Sequence, residues 1–215
     1  AQRPWLAGLM LGLCGATRAT TFFLAPLFVI EALHAARRAE PRARDEPDPS
    51  VWRCCQVFLR DVDARRALAS GVRFFIPVAF VIAVTWWLNW QRFGDPFEVG
   101  YRYLHIRWSG RIEKWGLFHY HYLAKNLAVL LTALPWLLHE APFIRISRHG
   151  LALWVTTPHY LGVLWPKRVS AHSVALSVAA GGVALLDLCY QNSGWVQFAY
   201  RFSLDYSVLL TVLLA

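Results

Sequence analysis

The sequence predicts an all-α fold, a polytopic transmembrane helix bundle with about five or six membrane segments, one of them a candidate re-entrant segment. Three observations predict it. Long apolar runs recur along the chain. Hydrophobic residues make up 57% of the chain and charged residues only 16%, against about 25% in ordinary soluble domains. Tryptophans such as Trp86, Trp87 and Trp90 gather at the ends of the runs, which is typical of rings at the depth of lipid headgroups.

Each complete apolar run is long enough to cross a bilayer core of roughly 30 Å as a helix. The complete runs cover residues 5–33, 69–90, 117–138 and 170–190. Residues 202–215 form a final, incomplete run, and we interpret residues 1–215 as a single transmembrane domain and as a fragment. The formal net charge of +9 comes from arginines between the runs, so membrane topology and membrane lipid explain it better than nucleic acid does.

The first run, residues 5–33, is longer than one straight span needs. Gly8 and Gly12 have the small-xxx-small spacing that allows two helices to pack closely. Pro26 should kink or break the helix. The run is therefore either one bent helix or two short helices that meet near Arg18.

Arg18 carries a charge in the middle of this run. A charge buried in a membrane needs a partner, which could be Asp187 or Glu31, a helix C-terminus or a lipid phosphate. We interpret Arg18 as a buried structural charge.

The loops set the predicted topology. Residues 34–68 are rich in arginine, which predicts a cytoplasmic loop by the positive-inside rule, and residues 51–68 could form an amphipathic helix. Residues 91–116 would then form an outward loop. Residues 151–165 would be only roughly 22 Å long as a helix and are interrupted by a Thr-Thr-Pro-His sequence, which favours a re-entrant segment over a short span. The choice decides on which side residues 191–201 lie.

The outward loop contains a cluster of acidic, basic and aromatic side chains around a Gly-Asp-Pro turn. Asp95 and Glu98 are its carboxylates, and Tyr101 and Arg102 follow. The loop either places carboxylates and an arginine over a membrane-facing cleft, or is an interfacial loop anchored by its aromatic residues.

The last loop repeats the Tyr-Arg-aromatic pattern with Tyr200 and Arg201, after Trp195. An arginine presents a fork of donors to phosphate oxygens, and neighbouring aromatic rings hold its stem. Arg201 is thus a candidate ligand of a lipid phosphate. The alternative is an internal ion pair with Asp205, one helical turn further on.

Metal chemistry has little support in the sequence. His119 and His121, together with a nearby carboxylate, could coordinate a divalent cation, but their spacing is not that of a known metal site. We therefore assign no cofactor.

Three stretches carry a resemblance when taken in order. They are residues 12–20 (GLCGATRAT), residues 89–101 (NWQRFGDPFEVGY) and residues 194–205 (GWVQFAYRFSLD). They are similar to motifs of bacterial GT-C-type membrane glycosyltransferases, the relatives of dolichyl-phosphate-mannose protein mannosyltransferases and lipid A aminoarabinose transferases. Ala19 and Ala199 stand where proline and glycine would be expected.

The resemblance implies an enzyme of the bacterial inner membrane. It would transfer a sugar from a polyprenyl-phosphate-linked donor to an acceptor on the outer face of the membrane. Arg102 or Arg201 would stabilise the phosphate leaving group, with Tyr101, Tyr200 and Trp195 beside them.

In such enzymes the catalytic carboxylate usually lies in the first outward loop, which we expect to precede this fragment. Asp95 and Glu98 are the catalytic candidates that remain in the chain. The alternatives are a transporter or flippase of a lipid-linked anion and a non-catalytic membrane subunit.

Overall fold

The computed structural model describes residues 3–36, 62–104, 106, 108–166 and 170–215. The chain forms two compact units, Ala1–Trp87 and Leu88–Ala215. The boundary between the units lies inside the long helix Ala64–Phe93.

The chain is mostly helical. The helices are α1 (Pro4–Thr17), α2 (Ala25–Ala35), α3 (Ala64–Phe93), α4 (Ser109–Trp115), α5 (Leu123–Thr132), α6 (Leu153–Thr156), α7 (Ala171–Cys189) and α8 (Leu204–Leu214). Short 3-10 turns cover Ala19–Leu24, Tyr101–Tyr103, Tyr120–Tyr122, Pro158–Leu164 and Arg201–Ser203. A two-stranded antiparallel hairpin joins β1 (Trp136–Leu137) to β2 (Ile144–Arg145).

In the first unit, α1 packs against α3 through its glycines. A Cβ atom on Gly8 would overlap the backbone carbonyl oxygen of Phe74, and one on Gly12 would lie 3.1 Å from Cβ of Val81. The close packing predicted from the small-xxx-small spacing is therefore confirmed. Leu11 lies between the two glycines and is buried with Phe74.

The first apolar run is two short helices that meet near Arg18, which is the second of the two alternatives. Arg18 has an extended backbone (φ −145°, ψ 111°) and ends α1. A 3-10 turn follows, and Pro26 then occupies the first turn of α2. A proline is well tolerated there, because the first helical residues need no N–H partner.

The prediction of five or six membrane segments is wrong: in the described part of the chain, only α3 and the His172–Cys189 part of α7 are long and apolar enough to cross a membrane. Hydropathy was right about the apolar character of the runs, but a break at Arg18 divides run 5–33, and prolines shorten the helices of runs 117–138 and 151–165. Run 117–138 contains only the ten-residue α5, since Pro135 favours an extended backbone before it and a hairpin follows. In run 151–165, α6 stops at Thr156, shortly before Pro158.

The two remaining candidates differ in how much of their surface the protein covers. The apolar window of α3 has a mean hydropathy of 2.1 and is 11% buried, whereas that of α7 has a mean hydropathy of 1.6 and is 39% buried. The core helix of a soluble protein would be mostly buried. Exposed apolar side chains such as Ile76 and Phe80 therefore favour a lipid environment for α3.

The predicted cytoplasmic loop 34–68 lies largely outside the described residues. Its end is described: Asp63 accepts hydrogen bonds from the backbone N–H groups of Arg65 and Arg66, which begins α3 at Ala64. The last residues of the predicted amphipathic helix 51–68 are thus the first turn of α3.

In the second unit, α7 is the central helix. It begins with a capping box between Ser170 and Ser173, and α8 and α5 pack against it. Its C-terminal end leads into residues 190–203, called here the 190–203 segment. The core at this end contains Val129, Leu188, Tyr200 and Phe202.

Candidate functional site

The 190–203 segment is the place where distant parts of the second unit meet. The buried amide of Asn126 donates to the carbonyl oxygens of Leu188 (2.8 Å) and Tyr190 (2.7 Å). The last carbonyl groups of a helix lack partners within it, and Asn126 supplies one to the end of α7. The N–H of Gln191 donates to the carbonyl oxygen of Leu117 at 2.9 Å, as in a pair of neighbouring strands.

Residues 147–151 hold the middle of the 190–203 segment. The side-chain amide of Gln197 donates to the carbonyl oxygens of His149 (2.6 Å) and Ser193 (2.9 Å). The N–H of Leu151 donates to Phe198 at 2.9 Å. Because these bonds use backbone atoms, they fix the path of the segment.

Gly150 makes this approach possible. Its φ is +91°, and a Cβ atom there would lie 2.8 Å from the backbone carbonyl carbon of Ala199. Left-handed backbone and close contact both require glycine.

We expect Gly150→Ala to lower the free energy of unfolding by about 2 kcal/mol, since it combines backbone strain with overpacking. Thermal unfolding of the purified protein measures this. The control is Gly110→Ala, because Gly110 has open space around its Cβ position and lies in α4. Equal stability of the two variants would show that the contact is not close in solution.

Ser193 and His149 form a pair that sequence reasoning missed. The Oγ atom of Ser193 lies 2.9 Å from Nδ1 of His149, which also lies 3.1 Å from the carbonyl oxygen of Gly194. A serine beside a histidine can act as a nucleophile, but Ser193 is fully buried and no substrate can reach it. The pair therefore positions the segment. It joins residues 44 positions apart, and no local pattern in the sequence signals it.

The second Tyr-Arg motif divides between core and surface. Tyr200 is fully buried, and its hydroxyl donates to the carbonyl oxygen of Asp187 at 3.2 Å. Arg201 is exposed, with its guanidinium 5.3 Å from the ring centroid of Phe202. Trp195 is 55% exposed. Of the three predicted residues, Arg201 and Trp195 are thus accessible to a ligand.

A second cation lies beside Trp195. The guanidinium of Arg148 lies 5.4 Å from the Trp195 ring centroid, and His149 packs edge-on against the same ring at 5.1 Å. Arg148 was not a sequence candidate, because its loop carries no motif.

The first motif is a tight turn stabilised by its own carboxylates. Oδ1 of Asp95 accepts from the N–H of Phe97 at 2.9 Å, and Oε1 of Glu98 accepts from the N–H of Gly100 at 2.8 Å. Gly100 has a φ of +89°. One oxygen of each catalytic candidate is therefore used to build the turn.

The structure joins the two motifs through a pair of tyrosines. The hydroxyls of Tyr101 and Tyr190 lie 2.7 Å apart and are hydrogen-bonded. Arg102 lies in the same 3-10 turn as Tyr101, and its side chain is outside the described part of the structure. The loop 91–116, which the sequence predicts to face outward, and the 190–203 segment therefore meet within the second unit.

We expect this tyrosine pair to show a coupling energy of about 1 kcal/mol in a double-mutant cycle of Tyr101→Phe and Tyr190→Phe. Chemical denaturation of the four proteins gives the value. Purely additive effects of the two substitutions would mean that the hydroxyls do not interact.

His119 and His121 pack on an indole ring. The ring of His121 stacks on Trp115 at 4.6 Å, and Nδ1 of His119 accepts from the N–H of His121 at 3.1 Å. Among the described residues, no three histidine, cysteine or acidic side chains come together as a metal site would require.

Arg18 lies in the first unit, where α1 ends, and its side chain is exposed on the protein surface. The prediction that lipid buries this charge stays a prediction. Arg18 follows the last residue of α1, and its carbonyl oxygen accepts from the hydroxyl of Thr21 at 2.7 Å.

Comparison with known proteins gives no match, whether with family models, with curated proteins or with solved structures.

Proposed function

We propose that the chain is part of an integral membrane glycosyltransferase of the bacterial inner membrane. The enzyme would take a sugar from a polyprenyl-phosphate-linked donor and transfer it to an acceptor on the outer face. The observation that carries the proposal is the 2.7 Å contact of Tyr101 with Tyr190, which brings together two loops with the same Tyr-Arg-aromatic motif. The resemblance of these loops to GT-C motifs gives the reaction type.

The accessible cations supply the chemistry for a donor phosphate. Arg201 offers a planar fork of N–H donors, which suits the two free oxygens of a phosphodiester. Arg148 offers a second cation, and Trp195, in the 190–203 segment, offers an exposed ring beside it. Negative charge develops on the polyprenyl phosphate as the sugar leaves, and a fixed arginine lowers the barrier by stabilising that charge.

The acceptor hydroxyl also needs a base. Asp95 and Glu98 lie in the loop of Tyr101, but each commits one oxygen to the turn. We therefore assign donor binding to this chain and leave the principal base to the earlier outward loop that the resemblance implies. Asp95 remains the candidate for a secondary role, since its second oxygen is not needed by the turn.

A transfer assay on the full-length protein in proteoliposomes tests the proposal. The probe is a polyprenyl phosphate carrying a radiolabelled sugar, added with acceptor-containing membranes. The proposal predicts that label appears in the acceptor and that unlabelled polyprenyl phosphate accumulates in equal amount. Movement of intact donor between the leaflets without its consumption would instead establish the flippase alternative. A folded protein that neither consumes nor moves the donor would contradict both.

A further inference from the structure

A second group of cations lies around Trp115, apart from the residues assigned to the donor. Nζ of Lys114 lies 4.9 Å from the indole centroid, while His119 and His121 pack against the same ring at 4.9 and 4.6 Å. Arg111 is one turn before Trp115 in α4.

One buried tyrosine fixes the position of this group. The hydroxyl of Tyr122 lies 3.1 Å from the carbonyl oxygen of Arg111 and 3.0 Å from that of Gly116. Burial raises the pKa of Tyr122, so its hydroxyl remains a donor at ordinary pH. These bonds tie Arg111 and the end of α4 to the turn that leads into α5, the helix that carries Lys125.

Arg111 and Lys114 lie one turn apart in α4, and the hydrogen bonds of Tyr122 join that helix to the segment that carries Lys125. Partial burial lowers the pKa of Lys125, and the nearby charge of Arg111 lowers it further. Within the described residues, neither Arg111, Lys114 nor Lys125 forms an ion pair with a carboxylate, although Glu113 lies in the same helix. Like charges held together in this way cost stability, and an anion would relieve that cost.

We infer that Arg111, Lys114 and Lys125 form a binding site for the phosphate group of an anionic membrane lipid. The surrounding aromatic residues favour a lipid over a soluble phosphate. Phe118 is 41% exposed and Tyr120 is 75% exposed. Exposed aromatic rings beside basic side chains are typical of protein surfaces at headgroup depth, where anionic lipids are attracted.

Native mass spectrometry of the full-length protein tests the site. The protein is equilibrated with phosphatidylglycerol and, separately, with phosphatidylcholine, and the bound lipid is counted. We expect the double variant Arg111→Gln/Lys125→Gln to lose roughly 30-fold in affinity for phosphatidylglycerol, since each basic residue at an anionic membrane surface contributes about 1 kcal/mol. Its affinity for phosphatidylcholine should not change.

Two controls separate a specific site from general charge. Arg92→Gln/Arg145→Gln removes the same charge from two other exposed arginines and should retain binding. Arg111→Lys/Lys125→Arg keeps both charges and should also retain binding. Equal loss in the Arg92/Arg145 variant would overturn the proposal.

Two further readouts identify the ligand and exclude unfolding. The glutamine double variant should melt at the same temperature as the parent protein or higher, because it removes repulsion between like charges. A lower melting temperature would show that the cations stabilise the fold instead.

Inorganic phosphate should compete only weakly with phosphatidylglycerol. If it binds as tightly as the lipid, the site recognises a soluble anion and the lipid assignment is wrong. Sugar transfer is measured alongside, so that failure of this site is distinguishable from failure of the proposed transferase activity.

Discussion

Replacing Arg201 by alanine in the full-length protein should lower sugar transfer by roughly 10²–10³-fold, the loss typical of removing a donor that stabilises developing negative charge. The expectation follows from three features of the residue. It is exposed, it lies in the 190–203 segment, and the ring of Phe202 holds its guanidinium at 5.3 Å. The loss should fall mainly on kcat, because charge on the phosphate grows only as the sugar leaves.

Arg145 provides a matched control for Arg201. It is also an exposed arginine, with its guanidinium 5.6 Å from the ring centroid of Trp136. Arg145→Ala removes the same kind of cation–π contact, worth about 0.5–1 kcal/mol at exposed sites, and should leave transfer unchanged. Arg201→Lys should recover only part of the activity, since lysine lacks the fork. Unchanged turnover in a folded Arg201→Ala protein would remove Arg201 from the mechanism.

Gly8→Ala should destabilise the first unit by about 3 kcal/mol, because the new methyl group would overlap the carbonyl oxygen of Phe74. A backbone carbonyl within a helix cannot rotate away, so α1 has to move as a whole. The measurement is unfolding of the purified protein in detergent, followed by protease accessibility of the α1 region.

Gly71→Ala is the control for Gly8→Ala. Gly71 also lies in a helix, but it has no atom within 4 Å of its Cβ position, and the substitution should stabilise α3 by about 0.5–1 kcal/mol. The two substitutions need not change the free energy of unfolding by equal amounts, but the changes should have opposite signs. A Gly8→Ala protein as stable as the parent would show that α1 and α3 are not in contact as described.

The sequence predicted those features that depend on neighbouring residues. Runs 69–90 and 170–190 lie in α3 and α7, because a long apolar stretch without an effective breaker gives a continuous helix. Pro77 is present in α3 without ending it. The spacing of Gly8 and Gly12 likewise predicted a packing face correctly.

The count of spans failed where hydropathy and backbone preference disagree. Run 117–138 is as apolar as a span, yet Gly116, with a φ of +73°, and the extended His119 precede its helix, and Pro135 follows it. Average hydropathy over a window does not register such residues, because they act through the backbone.

The predicted site residues stay predictions, but the structure shows that the two Tyr-Arg loops meet through Tyr101 and Tyr190. The residues that hold the loops in place could not be found from the sequence. His149 and Gln197 act through contacts between residues more than 40 positions apart. Their types and local patterns are ordinary, so only the folded chain shows that they hold the segment.

We propose that the outward loop and the 190–203 segment form one site on one face of the membrane. Cysteine labelling in intact cells shows whether they share a face, with Ser109→Cys and Phe198→Cys introduced separately into a cysteine-free full-length protein. Phe198 is 67% exposed. Its described hydrogen bond uses its backbone carbonyl oxygen, which accepts from the N–H of Leu151, so its side chain can be replaced. We expect an impermeant thiol reagent to label both variants from outside. Labelling of Phe198→Cys only after permeabilisation would place the two loops on opposite faces and contradict this proposal.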